Sequence, residues 1–194
     1  MSLSVDELRK TVANLKNEGL NSQQIADELS LSQDTIAWLS SSNEGQEQPQ
    51  DVRIGWRTIG VRPIRTEAMA TIFADVLLEE VGEEGVDSIV GISLNGILFA
   101  NEIAKFLDTE VSIHRNVDSG PGQGSLSNKY GQVNGKRIAI VDDVLSSGTT
   151  MRNTISMMRE MGAEVALCMV LVNKTPLNEI EEVPLRGIIR AVAV

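Results

Sequence analysis

The most informative segment of the chain is IAIVDDVLSSGTT, Ile138 to Thr150. Its first four residues are apolar and predict a buried strand, with two carboxylates at its tip and then a loop of small and hydroxyl residues leading into a helix. The backbone amides of such a loop, with the helix N-terminus behind them, form a cradle for a phosphate group. The alternative is an ordinary strand-turn-helix corner in which the aspartates only cap the helix.

The two ends of this motif favour different parts of one ligand. The loop offers hydroxyl donors, and Gly148 allows the backbone to approach a phosphate closely. Asp142 and Asp143 would repel a phosphate placed beside them, so their expected partners are the hydroxyls of a ribose or a metal ion bound with the substrate. A sugar phosphate satisfies both ends at once.

Outward from the motif, apolar runs typical of buried strands alternate with helical patterns. This alternation predicts an α/β domain with a parallel sheet and helices on both faces, in which ligands bind at the carboxyl ends of the strands. We expect strands at 87–92, 111–115, 137–141 and 164–172, and helices at 66–81, 96–107 and 150–161.

The N-terminal part of the chain is organised differently. Apolar residues at helical spacing predict three short helices, the first closed by Gly19, the second capped by Ser22 and the third by Ser32. The string SQQIADELSLSQDTIAWL resembles a helix-turn-helix, but its last helix carries neither Lys nor Arg to anchor a DNA phosphate. A docking or dimerisation module of the same pattern is the alternative. The residues expected to face DNA are Ser32, Gln33, Asp34 and Thr35.

A polar segment separates the two parts. SSSNEGQEQPQ, Ser40 to Gln50, has no apolar side chain and predicts a linker, which divides the chain into a helix-turn-helix domain at 1–42, a linker at 43–50 and a ligand-binding domain at 51–194. The formal net charge of −10 is the wrong sign for nonspecific attraction to DNA or an anionic membrane. One cysteine and no long apolar run favour a cytoplasmic protein without membrane contact.

The motif IAIVDDVLSSGTT resembles the signature of type I phosphoribosyltransferases, which bind 5-phosphoribosyl-1-pyrophosphate. The resemblance implies that family's parallel sheet, ribose binding by Asp142 and Asp143, and Mg²⁺ arriving with the pyrophosphate rather than at a metal site made by the protein alone. GISLNGILFA matches the family's pyrophosphate loop, although by itself it could be any strand-to-helix turn. The implied pyrophosphate-loop residues are Ser93, Leu94, Asn95 and Gly96, and the implied phosphate-binding residues are Leu145, Ser146, Ser147, Gly148, Thr149 and Thr150.

Catalysis by this family needs cations over the departing pyrophosphate, where negative charge builds up. The stretch from 114 to 133, which matches the mobile loop of orotate phosphoribosyltransferases, has no cation between Arg115 and Lys129. Three residues are weak catalytic candidates: Arg115 is the best for pyrophosphate contact, and His114 and Lys129 are weaker. His114 fits a strand-end residue making an ordinary hydrogen bond better than an acid-base catalyst, and Lys129 also fits a solvated loop lysine. Lys174 matches a basic residue that recognises the base carboxylate in orotate enzymes, or is a surface lysine.

The chain as a whole resembles the archaeal orotate-phosphoribosyltransferase-like regulators of central sugar metabolism. The residues that carry this match are IADELSLSQDTIAWL, GWRTIG at Gly55 to Gly60, and SLSNKYGQVNGKRIAIVDDVLSSGTT. The resemblance implies a homodimer that binds promoter DNA and uses the second domain for a phosphorylated sugar or nucleotide effector rather than for catalysis. The rival hypothesis is an active phosphoribosyltransferase with an accessory helical module.

Overall fold

The structure is a computed structural model that describes residues 4–41, 47, 49–116 and 124–192. The chain forms two compact units, a helical unit of Met1–Gly55 with Ala191–Val194 and a sheet unit of Trp56–Arg190. No helix among the described residues is long and apolar enough to cross a membrane.

The helical unit contains the three helices that the sequence predicts. Val12, Ile25 and Ile36 are almost completely buried in its core, and Leu31 closes the turn between the second and third helices. Ser32 caps the third helix as predicted, but the cap of the second is Asn21 and not Ser22, because the Asn21 side chain accepts the amide of Gln24 at 2.8 Å. The helices are α1 (Val5–Asn17), α2 (Ser22–Leu29) and α3 (Gln33–Ser40).

The sheet unit is built on seven strands in the order β3-β2-β1-β4-β5-β7-β6. The five central strands are parallel, which confirms the predicted parallel sheet, and β3 and β6 add antiparallel edges. The strands are β1 (Ser88–Ile92), β2 (Glu110–Asn116), β3 (Gly124–Leu126), β4 (Arg137–Leu145), β5 (Glu164–Asn173), β6 (Glu179–Ile180) and β7 (Val183–Arg190).

Helices cover the sheet on both faces. Along β1, Gly91 faces α6, because a Cβ built there would lie 2.8 Å from the Ile97 Cα, whereas Val90 and Ile92 belong to the core cluster under α7. The helices of this unit are α4 (Arg57–Gly60), α5 (Pro63–Val81), α6 (Gly96–Leu107) and α7 (Thr149–Glu160), and a short 3-10 turn spans Gly82–Glu84.

Strand β4 is longer than the sequence predicts. The expected end was residue 141, but pairing with β5 continues through Asp142↔Val170 and Val144↔Val172 to Leu145↔Asn173. Asp142 and Asp143 therefore lie inside a strand rather than beyond its tip, and their side chains alternate in burial. This alternation gives the two acids different environments.

Candidate functional site

Asp143 is the buried member of the acid pair. Only 7% of it is exposed, while Asp142 is half-buried. Its Oδ2 accepts hydrogen bonds from the indole Nε1 of Trp56 at 2.8 Å and from the Asn95 Nδ2 at 3.0 Å. The amide of Asp143 donates to the Oδ1 of Asp142 at 2.9 Å, which links the two acids.

Burial sets the protonation behaviour of Asp143. Removal from water raises the pKa of its carboxyl, and the hydrogen bonds from Trp56, from the Val144 amide and from Asn95 act in the opposite direction. A desolvated carboxylate gains from every donor that reaches it, so hydroxyl groups of a ligand suit this position.

The loop between β1 and α6 is held against the acid pair. Its Ser93 amide donates to the His114 carbonyl at 2.8 Å, and the Ser93–Leu94 peptide bond is cis. At Gly96 a Cβ would lie 2.4 Å from the Val141 carbonyl oxygen, so only glycine lets α6 begin this close to β4. The sequence-predicted loop and acid pair are thus brought together, with the Asn95–Asp143 hydrogen bond joining them.

The loop after β4 turns into α7 through a left-handed residue. Gly148 has φ of 80° and precedes the first helical residue, and a Cβ there would lie 2.8 Å from the Ile180 Cδ1. The Ser147 hydroxyl lies 3.1 Å from that of Thr149 and accepts its amide at 3.4 Å. The first turn of α7 contains no acidic residue, which suits it to an anion.

Two basic residues lie next to this loop. The backbone amide of Lys174 donates to the Leu145 carbonyl at 2.9 Å, which places Lys174 beside the end of β4. Arg152, which sequence reasoning missed, donates from Nη1 to the Ser147 carbonyl at 3.3 Å and forms an ion pair with Glu181 at 3.6 Å. Its position four residues after Gly148, on the first turn of α7, is the signal that could have identified it.

The three weak catalytic candidates are in different surroundings. Arg115 is exposed at the end of β2, where it pairs with Ser125 of β3, and Lys129 is exposed in the turn that follows β3. His114 is 2% exposed, and its Nδ1 lies 3.0 Å from the Thr154 hydroxyl of α7. This placement favours the hydrogen-bonding role of His114 over acid-base catalysis. Residues 117–123 of the predicted mobile loop lie outside the described residues.

The histidine is held in its neutral form. The Thr154 hydroxyl donates to the Thr150 carbonyl at 2.9 Å, so its single proton is used and His114 Nδ1 donates to it. Among the described residues, no partner reaches the His114 Nε2. Burial lowers the pKa of His114 to about 4.

The N-terminus of α3 is the predicted DNA-facing element. Gln33 and Asp34 are exposed there, and the Gln33 side chain contacts that of Gln23 on α2. Thr35 is buried, with 7% exposed, so it does not face outward as the sequence analysis expected. Its hydroxyl donates to the carboxylate of Asp51 at 2.8 Å, and the amide of Ser32 donates to the same oxygen at 2.7 Å.

Carbonyl groups at the C-terminal end of α3 also accept hydrogen bonds from within the helical unit. Arg9 of α1 donates from Nη1 to the carbonyls of Leu39 at 3.1 Å and Ser41 at 2.6 Å, and its guanidinium lies 4.8 Å from the ring centroid of Trp38. Arg9 is therefore engaged in holding α3, and the exposed Lys10 and Lys16 are the remaining cations of α1.

Besides Arg152, two residues that define these sites were not predicted from the sequence: Trp56 and Asp51. Trp56 also packs against Phe99 in a tilted arrangement, with ring centroids 5.6 Å apart, so it is part of the wall around Asp143. The signal in the sequence was the tryptophan of GWRTIG itself, one of two in the chain. Among the described residues, no group of three or more His, Cys, Asp or Glu side chains is arranged to hold a metal ion.

Comparison with known proteins agrees with this architecture. Residues 55–188 match the model of the phosphoribosyl transferase domain. A transcriptional regulator GfcR from Thermoplasma acidophilum is 39% identical over 190 residues, covering 96% of this chain and 96% of that protein. A transcriptional regulator GfcR from Methanocella arvoryzae is 35% identical over 200 residues, covering 96% of this chain and 97% of that protein.

Among solved structures, the orotate phosphoribosyltransferase from Aeropyrum pernix has the same fold. It superposes with a TM-score of 0.57 at 21% identity, covering 76% of this chain and 83% of that chain. The sheet unit therefore has the type I phosphoribosyltransferase fold, and its similarity to the regulators extends through the helical unit as well. The chain belongs to the phosphoribosyl transferase domain family and, within it, to the GfcR transcriptional regulators.

Proposed function

We propose that the chain is a DNA-binding transcriptional regulator whose sheet unit binds a phosphorylated ribose-type metabolite as its effector. The observation that carries the effector half is the meeting of Asp143, Asn95 and the Gly148 turn at the carboxyl ends of β1 and β4. Acids for sugar hydroxyls and a helix N-terminus for a phosphate lie at one edge of the sheet. The relatives that match nearly end to end support the regulatory half.

We assign each part of the proposed ligand to the residues that lie at the carboxyl ends of β1 and β4. Asp142 and Asp143 take the ribose hydroxyls, residues 145–150 take the 5-phosphate, and the loop 93–96 takes a pyrophosphate when the ligand has one. Mg²⁺ bound to a pyrophosphate would meet the half-buried carboxylate of Asp142, an oxygen ligand of the type that this ion prefers. Lys174 adds a cation for an anionic group on the ligand.

In the proposed DNA complex, the exposed start of α3, at Gln33 and Asp34, lies against base edges. Helix-turn-helix proteins read paired half-sites with two copies, so we propose a homodimer, which sedimentation of the purified chain measures directly. Titration of the protein onto its own promoter DNA, with and without phosphoribosyl pyrophosphate, tests the regulatory function. We expect a sequence-specific shift whose midpoint moves with the ligand, and no specific shift under either condition removes the proposal.

The second candidate function is an active phosphoribosyltransferase. The acid pair and both loops support it, because they lie together as the proposed sugar-phosphate site requires. The shortage of cations between Arg115 and Lys129 counts against it. Incubation with phosphoribosyl pyrophosphate, Mg²⁺ and a panel of bases distinguishes the two, since turnover that Asp143→Asn abolishes would establish an enzyme.

A further inference from the structure

The carboxylate of Asp143 is already bonded before any ligand arrives. Its Oδ2 accepts from both Trp56 and Asn95, and two hydrogen bonds use both lone pairs of that oxygen. A sugar hydroxyl that donates to Oδ2 must therefore replace one of these two side chains.

The two donors are not held equally. Asn95 lies on the loop that Gly96 presses against β4 and that the Ser93 amide ties to β2. Trp56 precedes the four-residue helix α4 and makes no side-chain hydrogen bond that caps it. An indole N–H and a sugar O–H are both neutral donors to the same charged acceptor, so one can replace the other at little net cost. Of the two donors, Trp56 is therefore the candidate for displacement, at the cost of its ring contact with Phe99.

The chain position of Trp56 gives its release a consequence. Trp56 is the first residue of the sheet unit, and Asp51, five residues earlier, belongs to the helical unit. Within the helical unit the carboxylate of Asp51 accepts from the Ser32 amide and the Thr35 hydroxyl at the start of α3. The segment 51–56 thus contacts the start of α3 through Asp51 at its first residue and the proposed ribose-binding Asp143 through Trp56 at its last residue.

We propose that Trp56 is a ligand-displaced partner of Asp143 and that the segment 51–56 transmits its release to the cap of α3. The inference rests on the proposed function, since the displacing ligand is a sugar phosphate with vicinal hydroxyls. The phosphate alone does not release Trp56, because it occupies the loop before α7, whereas the exchange takes place at Asp143.

Trp56 fluorescence measures the exchange directly. The chain has two tryptophans, so Trp38→Phe leaves Trp56 as the only one. In this variant we expect ribose 5-phosphate to shift the emission and to raise acrylamide quenching about threefold, as an indole leaves a half-buried site next to Phe99. Inorganic phosphate and 2-deoxyribose 5-phosphate should leave the emission unchanged. Calorimetry measures the binding of each of these ligands independently of the fluorescence. Unchanged emission when ribose 5-phosphate is bound overturns the proposal.

The direction in which the ligand affinity changes in Trp56→Phe shows whether Trp56 is displaced by the ligand or only supports Asp143. Trp56→Phe keeps a ring against Phe99 and removes only the N–H donor, so the ligand no longer competes for Asp143, and we expect binding about 10-fold tighter. A support that only orients Asp143 gives weaker binding, and this result or equal affinity overturns the displacement while leaving the proposed function intact. If neither the wild type nor the variant binds any sugar phosphate, the proposed function fails as well.

Hydrogen exchange tests the transmission to α3. The Ser32 amide is protected by its bond to Asp51. Ribose 5-phosphate should speed exchange at residues 32–35 in the wild type and not in Trp56→Phe, in which the contact to Asp143 is already absent. Release of Trp56 without faster exchange at these amides overturns the role of the segment.

Discussion

The two helix N-termini that face the proposed ligands are supported in opposite ways. The start of α3 holds the carboxylate of Asp51, and its far end holds the guanidinium of Arg9, so charged groups stabilise both ends of this helix. The start of α7 is formed by Gly148 and neutral hydroxyls, and its Thr154 contacts the neutral His114. A phosphate meets no acid within the first turn of α7, whereas at α3 it must compete with one that the chain supplies.

The two sites should therefore respond to different conditions. The support of α7 depends on an uncharged histidine and a left-handed glycine, so acid and backbone changes weaken it. The support of α3 depends on charges, so removal of a charge or added salt alters it. Substitutions at His114, Gly148, Arg9 and Asp51 test this difference.

Acid should weaken the support of α7 through His114. Because burial lowers the pKa of His114 to about 4, the unfolded chain takes up a proton near its ordinary value of 6.5 and the folded chain does not. Stability from the neutral ring is complete above pH 6.5 and is lost as the pH falls to about 4. Over this range we expect the wild type to lose about 3 kcal/mol more unfolding free energy than His114→Asn, whose amide still donates to Thr154.

The measurement is urea unfolding of both proteins at a series of pH values. His114 is the only histidine in the chain, and carboxyl groups shared by the two proteins cancel in the difference. Parallel pH profiles for the wild type and His114→Asn would show that the ring is not held neutral against α7.

The second variant tests the glycine at the start of α7. Gly148→Ala meets a positive φ of 80° and the Ile180 Cδ1, and we expect a loss of about 2 to 3 kcal/mol together with weaker phosphate binding. Gly135→Ala is the matched control, since its φ is 70° but a Cβ there meets nothing within 4 Å. Thermal unfolding of both proteins isolates the cost of the close approach, and equal losses would mean that only the backbone conformation matters.

The parts of the fold that the sequence predicts are those with local patterns. The bounds of α6 agree with the prediction because its apolar spacing is regular, whereas β7 was missed because Pro184 and Gly187 interrupt its pattern. The acid pair and both loops lie in two contiguous segments, IAIVDDVLSSGTT and GISLNGILFA, so the sequence predicts them as a candidate ligand site. The bond from Trp56 to Asp143 joins residues 87 apart, and that from Asp51 to Ser32 residues 19 apart, so only the folded chain shows them.

The third variant removes the cation at the far end of α3. Arg9→Ala takes away two hydrogen bonds to carbonyl groups and the contact with the Trp38 ring, and we expect the helical unit to lose about 2 kcal/mol. Lys10→Ala, at the exposed neighbouring position, should cost almost nothing. Trp38 emission during unfolding, followed in a Trp56→Phe background, reports on the helical unit, and similar losses in both variants would contradict the role of Arg9.

The smallest effect is expected for Asp51→Asn, which tests how the charge at the start of α3 affects DNA binding. Asp51→Asn keeps an oxygen that accepts from Ser32 and Thr35 but removes a negative charge from the start of α3, where that charge would repel a DNA phosphate bound beside this helix. We expect promoter affinity to rise about fivefold, and the slope of log affinity against log salt concentration to steepen by about one phosphate contact.

Asp34→Asn is the control that separates competition between Asp51 and a DNA phosphate from the general effect of removing one negative charge. It removes the same charge from an exposed position on the first turn of the same helix. If Asp51 occupies a phosphate position, the steeper slope appears in Asp51→Asn alone. If both variants gain affinity equally with the wild-type slope, Asp51 only adds to the overall negative charge, and the contrast between the two helix N-termini does not extend to DNA binding.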